Sequence, residues 1–264
     1  MATRRLEKAL LKVRCQRRAA FIPYLTAGYP SLPKTAALVR TLERAGADVI
    51  ELGFPFSDPL ADGPTIQWSS AQALAKGVKI RQIFRLVRSL RRQTQVPLVA
   101  MSYANLIDHY GVKAFCRDAI KAGLDGVIVP DLPPEEASEL VQAARKVRLA
   151  TIFLAAPTSS PKRLRQIARL SRGFIYFVSL TGVTGARRQL PKELNQQVRR
   201  LKKMTSLPVA VGFGVSNPAQ VKQLARVADG VIVGSAIIQA IRRSKKLSSV
   251  GRFARSLSQA TQRN

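Results

Sequence analysis

Cysteine and histidine are almost missing from these 264 residues: there are two cysteines, Cys15 and Cys116, and a single histidine, His109. The cysteines are far apart and lack the spacing of metal ligands, so they read as reduced thiols of a cytosolic chain, and neither has the setting of a nucleophile. One histidine cannot build a His-rich metal centre and argues against a Ser/His/Asp triad, so no metal is expected. Acids are scarce as well, 15 Asp and Glu against 44 Lys and Arg, a net charge of +29. Acid–base chemistry must then fall to a few carboxylates, tyrosines or lysines. No apolar run reaches the roughly 20 residues of a membrane span, and the basic start lacks the apolar core of a signal peptide. A cytoplasmic protein without a membrane segment is expected. The Arg-rich residues 1–18 would suit a transit segment bound for a plastid stroma, but Leu6, Leu10, Leu11 and Val13 read more simply as a short amphipathic helix.

What is abundant is positive charge, and its placement matters more than its sum. Residues 1–18 hold seven basic residues and one acid, and residues 241–264 hold seven and none. Arg81, Arg85, Arg88 and Arg92 recur at helical spacing opposite Ile83, Phe84, Val87 and Leu90, which describes a solvated helix face. No groove-reading motif and no exposed aromatic cluster accompanies the charge, so solubility and attraction of anionic substrates explain it better than nucleic-acid binding.

At this length one domain spanning 1–264 is expected. Eight short apolar runs alternate with amphipathic stretches: 20–25, 48–52, 98–101, 126–129, 151–154, 174–178, 209–212 and 230–233. Helical patterns over 35–45, 112–122, 134–147, 161–170 and 218–227 lie between them, several opened by proline and two closed by glycine. Continuous apolar strands joined by helices mean a parallel sheet covered by helices, and eight such units favour a (β/α)₈ TIM barrel. Helices over 1–18 and 242–264 stand outside the repeat. No Gly-x-Gly-x-x-Gly opens a helix after the first strand, which counts against a dinucleotide fold.

In such a barrel the chemistry sits at the C-terminal ends of the strands. That places Glu51, an acid inside an apolar strand, on the active face with Asp58 and Asp62 in the Pro-rich loop that follows, together with Tyr24, Tyr103, Asn105, Asp131 and Tyr176. A carboxylate in an apolar strand costs stability unless it is paired or protonated, which makes Glu51 a site candidate. Three late loops, 181–186, 212–216 and 234–236, bring glycines to strand ends and a helix N-terminus to the last of them. Together they describe a phosphate cradle.

The runs Phe21-Ile-Pro-Tyr-Leu-Thr-Ala-Gly-Tyr-Pro30, Glu51-Leu-Gly-Phe-Pro-Phe-Ser-Asp-Pro-Leu-Ala-Asp-Gly-Pro64, Tyr103-Ala-Asn105, Val127 to Glu136, Gly182-Val-Thr-Gly185, Gly212-Phe-Gly214 and Gly234-Ser235 together resemble the tryptophan synthase alpha subunit family, from about Phe21 to Ile241. The resemblance implies a lyase that cleaves indole-3-glycerol phosphate to indole and glyceraldehyde 3-phosphate, with Glu51 as acid/base and Asp62 accepting or stabilising the indole N–H proton. For Glu51 to donate a proton near neutrality, burial must raise its pKa. The same matching puts the phosphate on Gly185, Gly214, Gly234 and Ser235. It puts the indole among Tyr24, Met101, Ile128, Leu154, Tyr176, Thr184, Phe213 and Ile232.

The resemblance further implies no cofactor in this chain. Pyridoxal phosphate would belong to a beta subunit in an alpha2-beta2 complex, with Pro55, Asp58, Asn105 and Asp131 on the contact surface. Two other readings stay open at this point: a stand-alone lyase of the same fold that releases free indole, and a basic scaffold that binds nucleic acid through its two tails. Tyr29 stands where the family often has an acid, Leu180 where it can have a polar or basic residue, and Arg187-Arg188 follow the closing loop.

Overall fold

The computed structural model describes residues 2–178, 193–212, 214–244 and 246–263. Helix α1 (Ala2–Cys15) precedes β1 (Ala20–Thr26). Helix α2 (Leu32–Arg44) leads to β2 (Ile50–Gly53), α3 (Pro64–Leu74) and α4 (Ile80–Leu90) to β3 (Leu98–Met101), and α5 (Ala104–Tyr110) and α6 (Val112–Ala122) to β4 (Gly126–Ile128). Helix α7 (Ser138–Val147) is followed by β5 (Ala150–Ile152) and β6 (Leu154–Ala155), then α8 (Pro161–Leu170), β7 (Ile175–Val178), α9 (Leu194–Lys202), β8 (Val209–Gly212), α10 (Pro218–Ala225), β9 (Gly230–Val233), α11 (Ser235–Arg243) and α12 (Leu247–Gln259).

Every strand ladder is parallel, in the order β5-β4-β3-β2-β1-β9-β8-β7-β6. The two ends of that order are halves of one strand interrupted at Phe153. Arg172 N–H donates to Thr151 O at 2.8 Å and Tyr176 N–H to Phe153 O at 3.1 Å, so the ring closes there. This is the (β/α)₈ barrel that the alternation predicts, with one correction. The run 151–154 is not one strand: it breaks at Phe153 into β5, which pairs with β4, and β6, which pairs with β7.

Strands β1 to β5, β8 and β9 are buried at every residue, as a sheet covered on both faces requires. Four helices begin with proline in the first turn, three of them behind a side-chain cap: Ser31 accepts from Lys34 N–H, Ser160 from Arg163 N–H and Asn217 from Gln220 N–H. The helix expected over 134–147 starts instead at Ser138. Pro133 and Pro134 open a turn closed by Glu136 N–H on Pro133 O at 3.0 Å.

On α1, Leu6, Leu10 and Val13 are buried, but Leu11 is 59% exposed. The first three recur at i, i+4 and i+7, and Leu11 falls on the solvent side of that stripe. The helix is pinned to the barrel by Arg5, whose Nε donates to Asp125 at 2.9 Å. Arg91 reaches the same fully buried carboxylate at 2.6 Å and Leu98 N–H at 2.9 Å. Arg18 holds Asp48 through two bonds of 2.6 and 2.7 Å. The early acids Asp48 and Asp125 are thus structural partners of arginines.

The fold also accounts for where the charge lies. Helices between strands run back from the active face, so their last turns gather at the opposite end of the barrel. Those turns hold Arg44, Arg88, Lys121, Arg145, Lys146, Arg169, Arg199, Arg200, Lys202 and Lys222, while among the described residues only α7 has an acid in its first turn. Cations there complement the carbonyl ends of the helices. At the active face, by contrast, residues 51–62, 104–110 and 129–139 contain no Lys or Arg.

Candidate active site

Parallel pairing sets the site. Tyr24 on β1 lies in register with Glu51 on β2, and Glu51 with Val99 on β3. Glu51 is 1% exposed, and its Oε2 has no hydrogen-bond partner among the described residues. Burial, and then the charge of Asp62, push the Glu51 carboxyl up to about 8. It is therefore a protonated acid at neutral pH. A buried polar atom without a partner calls for an explanation, and unlike Ser102 Oγ, the other such atom among the described residues, Glu51 Oε2 belongs to a residue that lines a cavity.

Asp62 reaches the same cavity from the loop between β2 and α3. Leu60 N–H donates to Asp58 O at 3.0 Å and Asp62 N–H to Pro59 O at 2.9 Å, which folds the loop back over the barrel mouth. Gln67, one turn into α3, donates to Asp62 O at 2.8 Å. The Asp62 side chain accepts from the Tyr103 hydroxyl at 2.9 Å. Burial raises its pKa to about 6, opposed by that hydrogen bond. The two carboxyls thus stand in opposite protonation states between about pH 6 and 8, one able to donate and one able to accept.

Two tyrosines flank the acids in matching geometry. The Tyr24 hydroxyl lies over Gly53, where a Cβ would come within 1.9 Å of it. The Tyr176 hydroxyl lies over Gly212, where a Cβ would come within 2.4 Å. Each ring leans across the neighbouring strand two residues beyond its register partner, Glu51 for Tyr24 and Ala210 for Tyr176. Only glycine leaves room for either. Behind Tyr24, Thr26 Oγ1 donates to its hydroxyl at 3.3 Å and shares a 2.6 Å hydrogen bond with Ser69.

The cavity these residues line has about 620 Å³ of empty space, counting the part open to solvent. Glu51, Asp62, Tyr24, Met101, Tyr176 and Ile232 line it together with Gly214, Gly234 and Ser235. Gly234 is the N-cap of α11 and Ser235 its first residue, so first-turn amides that have no acceptor within the helix face the cavity. An acid pair and a helix N-terminus of the kind that suits an anion therefore share one chamber, lined also by apolar side chains. Val215, Ser216 and Ala236, from two of the loops expected to cradle phosphate, also line it, and so do Ile66 and Gln239, which sequence reasoning missed. Ile66 had a signal, since it follows the acidic loop by four residues.

Several expected positions fall elsewhere. Ile128 is buried on β4 and Leu154 lies on β6, where it faces a separate groove with Asp131 and Val178; neither lines the cavity. The chamber is gathered around β1–β3 and β7–β9, which leaves both residues outside its wall. Asp58, Asn105 and Asp131 are exposed, but Pro55 is buried within the chain and offers no surface of its own. Phe54 N–H still pairs with Met101 O at 2.8 Å, which draws the next residue into the barrel mouth. Asp131 accepts Ala104 N–H at 3.0 and 3.2 Å, securing the start of α5. Thr184, Gly185 and Phe213, and the stretch from Gly182 to Arg188, lie outside the described residues. No group of His, Cys, Asp and Glu among the described residues is arranged to hold a metal ion, and no described helix is long and apolar enough to cross a membrane.

Comparison with known proteins bears on this geometry. A family model described as tryptophan synthase alpha chain matches residues 10–262. The tryptophan synthase alpha chain of Geotalea daltonii is 50% identical over 235 residues, 89% of either chain. That of Caldanaerobacter subterraneus subsp. tengcongensis is 44% identical over 257 residues, 96% of this chain and 98% of the other. Among solved structures, tryptophan synthase from Mycobacterium tuberculosis superposes with a TM-score of 0.91 at 40% identity, covering 98% of each chain. The alpha subunit from Legionella pneumophila superposes with a TM-score of 0.91 at 38% identity, covering 97% and 98%.

Proposed function

The chain belongs to the tryptophan synthase alpha chain family, and from that premise we propose that it cleaves indole-3-glycerol phosphate by a retro-aldol reaction. The observation that carries this reading is two buried carboxyls, Glu51 and Asp62, that line one cavity with the N-terminus of α11. Glu51, protonated, donates to the indole carbon that bears the glycerol chain. The bond to the side chain then breaks as the adjacent hydroxyl loses its proton, and Glu51, now ionised, takes that proton back. Indole and glyceraldehyde 3-phosphate leave, and no oxidant, water or metal enters the balance. Asp62 accepts or stabilises the indole N–H proton as positive charge builds on the ring. Release of indole from indole-3-glycerol phosphate by the purified protein tests the proposal, and a protein that binds the substrate and releases none overturns it.

The phosphate is assigned to Gly234 and Ser235, with Gly214 after β8 and Gly185 as further backbone donors. A Cβ at Gly234 would meet Ile66 Cδ1 at 3.4 Å and Tyr24 Cβ at 3.7 Å, which is ordinary contact. Gly234→Ala should therefore change KM by no more than a few-fold. Gly234→Glu places a charge against the phosphate and should raise KM on the order of a hundredfold, as the loss of a charge-assisted anion contact would. Steady-state kinetics of the two variants separate charge from bulk.

We assign Asp58, Asn105 and Asp131, all exposed at the rim, to contact with a beta subunit that carries the pyridoxal phosphate of an alpha2-beta2 assembly; this chain holds no cofactor in that scheme. Turnover with and without the beta subunit checks it. Activation by the partner is the expected outcome, and full speed without it would favour a stand-alone indole-releasing enzyme.

A further inference from the structure

One buried group beside the site has no role in the chemistry above. Tyr103 is 3% exposed, does not line the cavity, and donates its hydroxyl proton to Asp62 Oδ2 at 2.9 Å. It is held from two further sides. Its ring stacks on Phe56 with centroids 5.0 Å apart and planes 25° from parallel. Its backbone is the N-cap of α5, whose first amide, Ala104 N–H, is gripped by both oxygens of Asp131.

We propose that Tyr103 is a positioning residue for Asp62: a phenol clamped by Phe56 and the start of α5 that ties down one carboxylate oxygen and leaves the other aimed at the indole N–H. The inference rests on the reading of Asp62 given above and adds a group that never touches substrate. A carboxylate has two oxygens and one free torsion beyond Cβ, so a single fixed donor on Oδ2 decides where Oδ1 lies. The same bond favours the ionised form, which the acceptor role requires and which burial opposes. Tyr103 can keep this up at any working pH, because burial and the neighbouring Asp62 hold its own pKa above the usual tyrosine range.

The test is Tyr103→Phe, which keeps the ring and its stacking and deletes one oxygen. Turnover of indole-3-glycerol phosphate should fall roughly ten- to a hundredfold, the worth of one hydrogen bond to a charged group, with KM little changed. The acid limb of kcat/KM should move to higher pH, a readout that a purely structural tyrosine would not shift. In the Asp62→Asn background the same substitution should cost almost nothing, since the carboxylate it serves is gone. An unmoved acid limb, or an equal loss in both backgrounds, overturns the inference. Asp131→Ala offers a second route: by loosening the start of α5 it should shift the acid limb in the same direction but less, and no shift counts against the clamp. If Asp62→Asn itself turns over at full speed, the assignment of Asp62 fails first. If Asp62→Asn is crippled and Tyr103→Phe behaves as wild type, only the clamp fails.

Discussion

Replacing Glu51 with Gln should bring indole release below detection while substrate binding stays largely intact. The amide keeps the shape of the side chain and lacks the proton that attacks the ring, so the loss belongs to kcat. Equilibrium binding of a non-cleavable analogue should change by only a few-fold, and near-normal turnover would defeat the mechanism. The variant should also be well folded, and more so at high pH. In the folded protein the Glu51 pKa is raised from 4.5 to about 8, chiefly by burial and then by Asp62. A raised carboxyl contributes fully below its unfolded value and loses that contribution as pH rises through the folded one. An amide has nothing to ionise, so Glu51→Gln should melt above wild type at about pH 9, with the gap closing towards about pH 4. A stable, binding-competent and inactive protein separates chemistry from misfolding.

Asp62→Asn should lose two or more orders of magnitude in kcat/KM, the usual scale for removing a positioned proton acceptor. It should also change the shape of the pH profile. With both acids present, kcat/KM rises as Asp62 ionises near about 6 and falls as Glu51 ionises near about 8, giving a bell. Part of the upward shift of Glu51 comes from the charge of Asp62. Removing that charge lets Glu51 ionise earlier, so the basic limb should move to lower pH while the acid limb disappears. A basic limb that stays in place would mean that the two carboxyls do not sense each other, and the shared chamber would lose its electrostatic content.

Much of this was legible in the sequence because the relevant signals are local. An apolar run of four to seven residues with breakers on both sides is a strand wherever it lies, and an acid inside one, as at Glu51, has few reasons to be there. Pro161 behind Ser160 and Pro218 behind Asn217 announce helix starts without help from distant residues. The partnerships that span the chain were not legible. Tyr103 meets Asp62 across 41 residues and Gln239 meets Thr65 across 174, and no periodicity reports such pairs. The break at Phe153 is hidden for a related reason: it reflects which neighbours the two halves pair with, not anything in Thr151 to Leu154 themselves. Pro55 is placed on the contact surface by family likeness alone, and only its burial beside Phe54, which pairs with Met101, shows it drawn inward. Ile128 and Leu154 were assigned by family likeness, and the position of the chamber leaves them out.

The closure at Phe153 has a consequence for how the protein survives partial opening. Elsewhere neighbouring strands are joined by continuous ladders, but β5 and β6 are linked to their far neighbours there by only a few backbone bonds, those from Arg172 and Tyr176 among them. Opening this seam would bare raw strand edges, and bared edges are the templates on which separate chains zip together into aggregates. A surplus of 29 positive charges makes copies of this chain repel one another, which works against such edge-to-edge contact.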